Sequence, residues 1–465
     1  MSLSAWPRLL RRWFRSARDR GDLARDRQRW TDAARHYRTH LHRHPQDFAI
    51  WVQLGHSLKE AGRIGEAIDA YRAGLAIDGD DADLLLHLRH LYQDHPPQRI
   101  GQGPAIIFLF NLLQDVGVAR PLVYLAAEEF VAEICLLVSG EFLERDTTGL
   151  WIGELERMCR DTGATLTIQP TPERACGCLQ GRSGVLIAAS ESNLEPHRYT
   201  HALFRSAPAG FTRITLQHGF ECVGFLHNRD QSAAYGDHVF FAADVLCGWA
   251  EAEALTAMSA TERAKLRVTG PTLALHERAG RAGGNGGLVC ENLHSVRFGA
   301  ANGRRDAFME DVAAVSAILA ERGEALTLRA HPGGRYFAEH GLAPPRGART
   351  ENRPLYKVDL AGFDYGISAP STVLLDMMLA GLPVAVWNDP ESPIDVSHYV
   401  GLHQVAGADE WLAFQQAVLQ DPDAFLRQQA DFLGRTGLLL DPTTVRTRFI
   451  SVLTEACNLI TARDQ

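Results

Sequence analysis

Strand-like apolar runs that alternate with helix-like stretches constrain the fold of this chain more than any other feature. The earlier runs are Ala105–Phe110, Leu122–Leu125, Leu136–Val138, Thr165–Ile168, Gly184–Ala188, Arg213–Gln217 and Leu266–Val268. The later runs are Gly287–Cys290, Ala325–Arg329, Tyr365–Ile367 and Pro383–Trp387, before final helices from about Asp409 to Ala462. Because parallel strands are joined by crossover helices, this alternation predicts α/β domains with parallel sheets.

Two interruptions divide the chain. The segment His95-Pro96-Pro97 ends an earlier, purely helical pattern, and the glycine-rich run from Ala279 to Gly287 separates the two series of strands as a hinge. A chain of 465 residues is also too long for one core. We therefore predict an all-α domain over residues 1–97 and two Rossmann-like halves over 98–278 and 279–465. A ligand is expected in the cleft between the halves, where parallel strands end.

The all-α domain repeats itself at a spacing of 34 residues. The matching positions are Gly21 and Gly55, Ala33 and Ala67, and Tyr37 and Tyr71. This pattern is similar to the tetratricopeptide repeat, in which small residues allow close helix crossing and aromatic residues fill the gaps. Two units and a partial third are near the minimum for stability, so we expect the module to lean on the domain behind it. Its role is to bind a partner peptide or helix, with dimerisation as the alternative.

Composition limits the function classes. An apolar content of 46% with 22% charged residues is typical of a soluble globular protein, and the net charge of −9 argues against nucleic-acid binding. Neither a bilayer-spanning run nor a secretory signal is recognisable. The eight scattered cysteines form no CxxC pair and fit a reducing compartment, so we expect a cytoplasmic protein without a bound metal.

A basic, aromatic segment at the start is a local exception to the acidic balance. Arginines from Arg8 to Arg20 interleave with Trp6, Trp13 and Phe14. Such a helix either makes a peripheral contact with an anionic membrane or packs its aromatic residues on the next helix. The second interpretation is favoured.

The first candidate catalytic motif is Gln217-His218-Gly219, directly after the strand that ends at Leu216. Gly219 permits a sharp turn that leaves the imidazole of His218 exposed at the sheet edge. A histidine there is able to take a proton from an attacking hydroxyl at neutral pH. A structural histidine that bonds a neighbouring loop is the alternative.

The second motif is Arg329-Ala330-His331-Pro332-Gly333, again directly after a strand. Pro332 fixes the turn, and Gly333 allows a ligand close to the backbone. His331 and Arg329 suit a phosphate oxygen or a nucleotide leaving group. A turn histidine bonded to a backbone carbonyl is the alternative for His331.

The third motif begins where the strand near Tyr365 ends. Ser368, Ser371 and Thr372 are candidate phosphate contacts, because hydroxyls and free N–H groups coincide where a helix begins. Asp376 lies further along that helix, where a carboxylate is able to bind ribose hydroxyls. An ordinary serine-capped helix with a solvent-facing Asp376 is the alternative.

In this order, the motifs resemble those of GT-B-fold glycosyltransferases, and more narrowly of those that use cytidine-nucleotide donors. These are the bacterial sialyltransferases, Kdo transferases and CDP-glycerol glycerophosphotransferases. The architecture matches from about Gly103 to Asp464, and the sharp motifs run from Gln217 to Pro383. CDP-glycerol enzymes carry an aromatic residue where this chain has Gln217, and an adjacent serine pair where this chain has Ala369 and Pro370 between the serines. An acidic sugar is therefore a better match than glycerol phosphate. Repeats fused to such a unit also resemble bacterial flagellin glycosyltransferases.

The resemblance implies a metal-independent transfer with no cofactor. The acceptor hydroxyl attacks the anomeric carbon of a nucleotide-activated sugar, with His218 as the base and Glu221 or Asp115 as substitutes. Gln217, like Asp115 and Glu221, is expected to contact the acceptor. Asp115 follows the first strand of the acceptor half, where it equally well caps the next segment. On the donor side, His331, Ser371 and Thr372 neutralise the leaving phosphate.

The predicted function is thus transfer of a nonulosonic or Kdo-like sugar from a CMP donor. The acceptor is a protein held by the repeats, with flagellin favoured, or a surface glycan. The alternatives are a polyol-phosphate or UDP-sugar transferase and a non-catalytic scaffold built on the repeats.

Overall fold

A computed structural model describes residues 16–96, 104–276, 278, 282–293, 295–299, 303–332 and 343–463. The predicted ligand residue Gly333 and the basic segment before Ser16 lie outside these ranges. Contacts divide the chain into two compact units. Unit 1 joins Met1–Ile100 to Cys135–Pro170, and unit 2 joins Gly101–Ile134 to Thr171–Gln465. The domain limits predicted from the sequence cut the chain at other places and stay a prediction.

Unit 1 begins with the helical repeats. Their helices are α1 (Ala17–Arg25), α2 (Trp30–Leu41), α3 (Phe48–Glu60), α4 (Ile64–Leu75) and α5 (Ala82–Asp94). In both full repeats a glycine lies against the ring of a tyrosine in the second helix: Gly21 against Tyr37 and Gly55 against Tyr71. A Cβ on either glycine would overlap that ring, so the spacing seen in the sequence reflects a close helix crossing.

The remainder of unit 1 comes from a later part of the chain. Its elements are β2 (Glu133–Ser139), α7 (Gly140–Arg145), α8 (Leu150–Thr162) and β3 (Thr165–Gln169), with β2 and β3 parallel. Helix α8 packs on α5, where a Cβ on Gly153 would overlap the side chain of Leu85. The repeats therefore lean on an α/β segment, as the sequence predicted.

A buried ion pair fixes the same contact within unit 1. Glu156 of α8 is only 2% exposed and accepts two hydrogen bonds of 2.9 Å from the guanidinium of Arg72. The buried Tyr92 hydroxyl donates to the same carboxylate. Because a buried charge is costly without partners, these three side chains depend on one another.

Unit 2 contains two α/β halves, and the first is built on β1 (Ala105–Phe110), β4 (Gly184–Ala188), β5 (Phe211–Leu216), β6 (Val245–Gly248) and β7 (Leu266–Val268). Each of these strands pairs in parallel with the next one in that order. The helices are α6 (Asp115–Glu129), α9 (Pro172–Leu179), α10 (Arg198–Ser206), α11 (Arg229–Tyr235) and α12 (Ala260–Arg263). Every residue of β1 is buried, as expected for a strand covered on both faces.

One strand predicted in this half is wrong. The apolar run Leu122–Leu125 lies inside helix α6, which continues from Asp115 to Glu129. Four apolar residues are too few for their periodicity to distinguish a strand from a buried stretch of helix.

The second half of unit 2 is a six-stranded parallel sheet in the order β10-β9-β8-β11-β12-β13. The strands are β8 (Gly287–Cys290), β9 (Leu326–Arg329), β10 (Ala348–Glu351), β11 (Tyr365–Ser368), β12 (Val384–Asn388) and β13 (His403–Ala406). The helices are α13 (Arg304–Glu321), α14 (Val373–Leu379), α15 (Gly407–Gln420), α16 (Pro422–Arg435) and α17 (Pro442–Arg463). Trp387, Trp411 and Phe308 are fully buried in its core. The predicted fold class, two Rossmann-like α/β halves after an all-α repeat region, is confirmed. Within the described ranges, no helix has the length and apolarity to cross a bilayer.

Candidate active site

The first and third sequence motifs meet in unit 2. The backbone N–H of Phe220, just after His218-Gly219, donates a hydrogen bond of 2.9 Å to the hydroxyl of Thr372 at the start of α14. A Cβ on Gly219 would lie 3.1 Å from the same hydroxyl. This close approach explains why the turn after β5 carries a glycine. The loop after β5 in one half is thus joined to the helix start in the other.

Gln217 shapes this loop from inside. Its side chain, 2% exposed, donates to the carbonyls of Gly219 and Phe220 and accepts the backbone N–H of Trp249 at 2.9 Å. The acceptor contact predicted for Gln217 therefore gives way to a role in holding the turn.

The surroundings of His218 define which ring nitrogen is available. Nδ1 lies 3.0 Å from the carbonyl oxygen of Ala189 and 3.6 Å from the sulfur of Cys222. Because a carbonyl only accepts, Nδ1 carries the hydrogen in that bond and Nε2 remains to exchange a proton with a ligand. Burial opposes the charged ring, but the Cys222 thiolate and Asp115 raise the pKa of His218 to about 9.

Asp115 is fully buried beneath this loop. Its carboxylate accepts the backbone N–H groups of Asn111 (3.0 Å) and Leu112 (2.8 Å) and the hydroxyl of Ser190. Burial raises the pKa of Asp115, whereas these hydrogen bonds lower it. These contacts hold the turn that precedes α6, and Asp115 does not cap that helix, which has no side-chain cap. The role of Asp115 as a substitute base stays a prediction.

The segment after β4 holds several polar residues that the sequence analysis missed. The Ala189 carbonyl orients His218, Ser192 lies 2.7 Å from Nδ1 of His197, and Glu191 lies 2.6 Å from Nδ1 of His201. The ring of His197 stands edge-on to that of His218, with 5.8 Å between centroids. The sequence did contain a pattern that indicates them. Ser190, Glu191 and Ser192 come shortly after a buried strand, as His218 does.

Glu221 joins the two halves instead of standing free as a base. It forms an ion pair with the buried Arg297 and lies 3.0 Å from Nδ1 of His398. Arg297 also donates to the carbonyl of Pro370 at 3.2 Å, one residue before Ser371. The pair therefore links the His218 loop to the turn that leads into α14.

On the donor side, the three hydroxyl residues differ. Ser371 and Thr372 are partly exposed at the start of α14. Ser368 is fully buried and its hydroxyl donates to the Cys290 carbonyl of the neighbouring strand at 3.2 Å. Contrary to the prediction, Ser368 stabilises the sheet and is not placed to contact a phosphate.

Charged groups surround this helix start. Arg329 is 6% exposed, and its buried Nε has no hydrogen-bond partner among the described residues. Burial raises the pKa of Asp376 to about 6, although the positive charges of Arg278 and Arg329 lower it. His331 lies two residues beyond β9 and is partly buried. Over the described ranges, no group of three or more His, Cys, Asp or Glu side chains is arranged to hold a metal ion.

Comparison with known proteins gives distant likenesses only. No protein-family model matches the chain, and no curated protein matches it. Among solved structures, the chain is similar to an O-GlcNAc transferase from Thermobaculum terrenum, with 15% identity, a TM-score of 0.38, and coverage of 95% of this chain and 91% of that one. The wall teichoic acid polymerase TagF gives 9% identity, a TM-score of 0.48, and coverage of 86% and 95%. The structure of S. aureus MnaA with UDP gives 14% identity, a TM-score of 0.47, and coverage of 77% of this chain and 98% of that one. Likeness at this level carries no argument about activity.

Proposed function

We propose that this chain is a glycosyltransferase that moves a sugar from a nucleotide-activated donor, with its active site where the two halves of unit 2 meet. The observation that supports this best is the hydrogen bond from Phe220 N–H to Thr372. It joins the loop that carries His218 to the helix start that carries the hydroxyls of Ser371 and Thr372. A transferase needs both chemistries side by side, one for the acceptor hydroxyl and one for the leaving phosphate.

In the proposed reaction, Nε2 of His218 takes the proton from the acceptor hydroxyl as its oxygen attacks the anomeric carbon. The bond from that carbon to the phosphate oxygen breaks, and the nucleotide leaves with both electrons. Ser371 and Thr372 donate to the phosphate, and Arg329 and His331 supply positive charge or hydrogen bonds. Asp376 binds ribose hydroxyls. No metal or cofactor is required in this scheme.

We propose a CMP-linked nonulosonic or Kdo-like acid as the donor, from the resemblance of the motifs, with a UDP-sugar as the competing candidate. The acceptor is a protein held by the helical repeats, flagellin being favoured, or a surface glycan. The reaction takes place in the cytoplasm.

Calorimetric titration with CMP, CDP and UDP tests the proposal. We expect CMP to bind, and Ser371→Ala and His331→Ala each to weaken that binding about 10-fold, because each loses a hydrogen bond to a charged group. His218→Ala should leave CMP affinity unchanged and abolish transfer from a CMP-activated sugar.

The matched control is Ser451→Ala, an exposed serine of α17 that lies 3.2 Å from Glu455. It should leave CMP binding unchanged. Preference for UDP would replace the donor class, and the absence of binding to any nucleotide would favour a scaffold without catalysis.

A further inference from the structure

Arg120 of helix α6 lies over two tyrosine rings. Its guanidinium carbon lies 4.6 Å from the ring centroid of Tyr124, one helical turn further on, and 4.6 Å from that of Tyr356 in the other half. His276 in turn stacks on Tyr356, with 6.1 Å between the ring centroids and 18° between the ring planes. The cation–π contacts hold the guanidinium against these rings without using its five N–H donors, which are left for another group.

No described residue supplies a hydrogen bond or an ion pair to that edge. Several other arginines in the described ranges have a carboxylate partner: Arg72 with Glu156, Arg213 with Asp244 and Arg297 with Glu221. An oriented guanidinium without a counter-charge is costly to retain unless a ligand provides the negative charge.

A second arginine lies in the same neighbourhood. Arg278 donates to the carbonyls of Leu273 at 2.6 Å and His276 at 3.4 Å, and no described carboxylate forms an ion pair with it. These carbonyls orient the side chain but do not neutralise it. Burial, followed by the charges of Arg278 and Arg120, lowers the pKa of His276 to about 4, which reflects the positive field here.

Asp376 is a negative group in this neighbourhood, and the charges of Arg278 and Arg329 act on it. Asp376 lies on α14 beyond Thr372, so Arg278 lies near the proposed donor phosphate. Glu351 also interacts with Arg329, so two carboxylates face the three guanidiniums, which leaves room for negative charge from a ligand.

We propose that Arg120 and Arg278 form a binding site for a second anionic group of the substrate, a carboxylate or phosphate separate from the phosphate bound at Ser371 and Thr372. The planar edge of a stacked guanidinium matches two oxygens of such a group in a bidentate contact. Because Tyr356 belongs to the other half, the site is completed only when both halves are in place. The assignment of the ligand as a nucleotide sugar rests on the proposed function.

Binding of four ligands to the wild-type protein and to Arg120→Gln tests this site. They are inorganic phosphate, CMP, CMP-N-acetylneuraminic acid, which carries a sugar carboxylate, and UDP-N-acetylglucosamine, whose sugar is neutral. If the second anion is a sugar carboxylate, Arg120→Gln should weaken binding of the acidic nucleotide sugar about 10-fold or more, while CMP changes less than about 2-fold. If it is a second phosphate, UDP-N-acetylglucosamine should be weakened instead.

Two further variants separate binding from folding. Tyr356→Phe keeps the stacked ring and should retain affinity, whereas Tyr356→Ala should weaken binding as Arg120→Gln does. Arg267→Gln, at an exposed arginine that bonds only the Leu266 carbonyl, is the matched control and should change nothing.

Failures of the two proposals give different results. If the wild-type protein binds no nucleotide but Arg120→Gln removes binding of inorganic phosphate, the proposed function is wrong and the anion site stands. If no ligand loses affinity in Arg120→Gln, or if CMP loses as much as both nucleotide sugars, the second anion site is overturned.

Discussion

The pair of His218 and Cys222 shows how single side chains set the chemistry of the site. The imidazole is partly buried, which disfavours its charge, yet the Cys222 sulfur 3.6 Å away favours it. In turn, His218 lowers the pKa of Cys222 against the effect of burial. A ring that must release a proton before acting as a base should therefore become active only in alkaline solution.

Replacing Cys222 by serine should shift the pH dependence of transfer. His218 acts as a base in its neutral form, and its pKa near 9 means that the rate rises with pH up to about 9. Without the thiolate the imidazolium loses a stabilising charge, so its pKa falls and the rise moves at least about one pH unit lower.

Initial rates from pH 6 to 10 measure this shift. Cys247→Ser, at another buried cysteine, serves as the control and should leave the profile in place. An identical profile for Cys222→Ser and the wild type would contradict the assignment of His218 as the base.

At the residue scale, the sequence predicted His218 and Thr372 as site residues because each lies in a turn that follows a strand. The structure joins the two turns, and the chemical roles of both residues stay predictions. The sequence did not reveal that Ser368 bonds within the sheet, or that Glu221 is paired instead of being free to act as a base. Their partners, Cys290 and Arg297, lie 78 and 76 residues away, and no local pattern announces such contacts. The contact of Arg120, for which we propose anion binding, was missed for the same reason, since Tyr356 comes from the other half.

Among the secondary-structure elements, the loops after β5 and β11 depend on each other through buried polar contacts. The ion pair between Glu221 and Arg297 is 6% and 2% exposed at its side chains. Arg297 in turn holds the carbonyl of Pro370, so the position of the donor turn depends on a residue of the acceptor loop. A buried pair of this kind is sensitive to loss of either partner.

Arg297→Met should therefore destabilise the protein by about 3–5 kcal/mol, because Glu221 would keep its charge in a buried place. The double variant Glu221→Leu with Arg297→Met should recover part of this loss, since neither charge is then buried alone. Urea unfolding followed by tryptophan fluorescence gives the free energies for the cycle.

Arg446→Met removes an exposed pair with Glu128 and Glu129 and should cost less than about 1 kcal/mol. Equal effects of the two arginine variants would disprove the role of the buried pair.

The secondary structure followed from the sequence where apolar patterns were long. Strand β1 was predicted with the bounds that the structure has, whereas β6, β10 and β13 were not predicted. Three of the four residues of β10, Ala-Arg-Thr-Glu, are polar, and none is buried, because the strand lies at a sheet edge. Edge strands lack the apolar signal by which central strands are found.

On the scale of the whole molecule, the helical repeats do not end where the sequence pattern ends. Their compact unit includes Cys135–Pro170, and Glu156 of that segment takes its partners from Arg72 and Tyr92. The predicted boundary near residue 97 could not reveal this, because a discontinuous unit leaves no mark in local composition.

Deleting residues 1–97 should accordingly lower the thermal midpoint, by about 10 °C, because Glu156 loses its buried partners. Adding Glu156→Gln to the truncated chain should recover part of the loss, since an unpaired amide costs less to bury than a carboxylate. Differential scanning calorimetry compares the three proteins. A truncated chain that melts with the full-length protein would show that the repeats are thermally independent.

Unit 1 is built from two separate segments of the chain, and this has a consequence during synthesis on the ribosome. Chains emerge from their N-terminus and domains fold as their parts become available. The repeats leave the ribosome first, but their glutamate partner and the helix that covers Leu85 follow only after Gly101–Ile134, which belongs to unit 2. The nascent repeats therefore remain incomplete until Pro170 has left the ribosome. Until then, the face of α5 that carries Leu85 lacks helix α8, against which it packs in the folded protein.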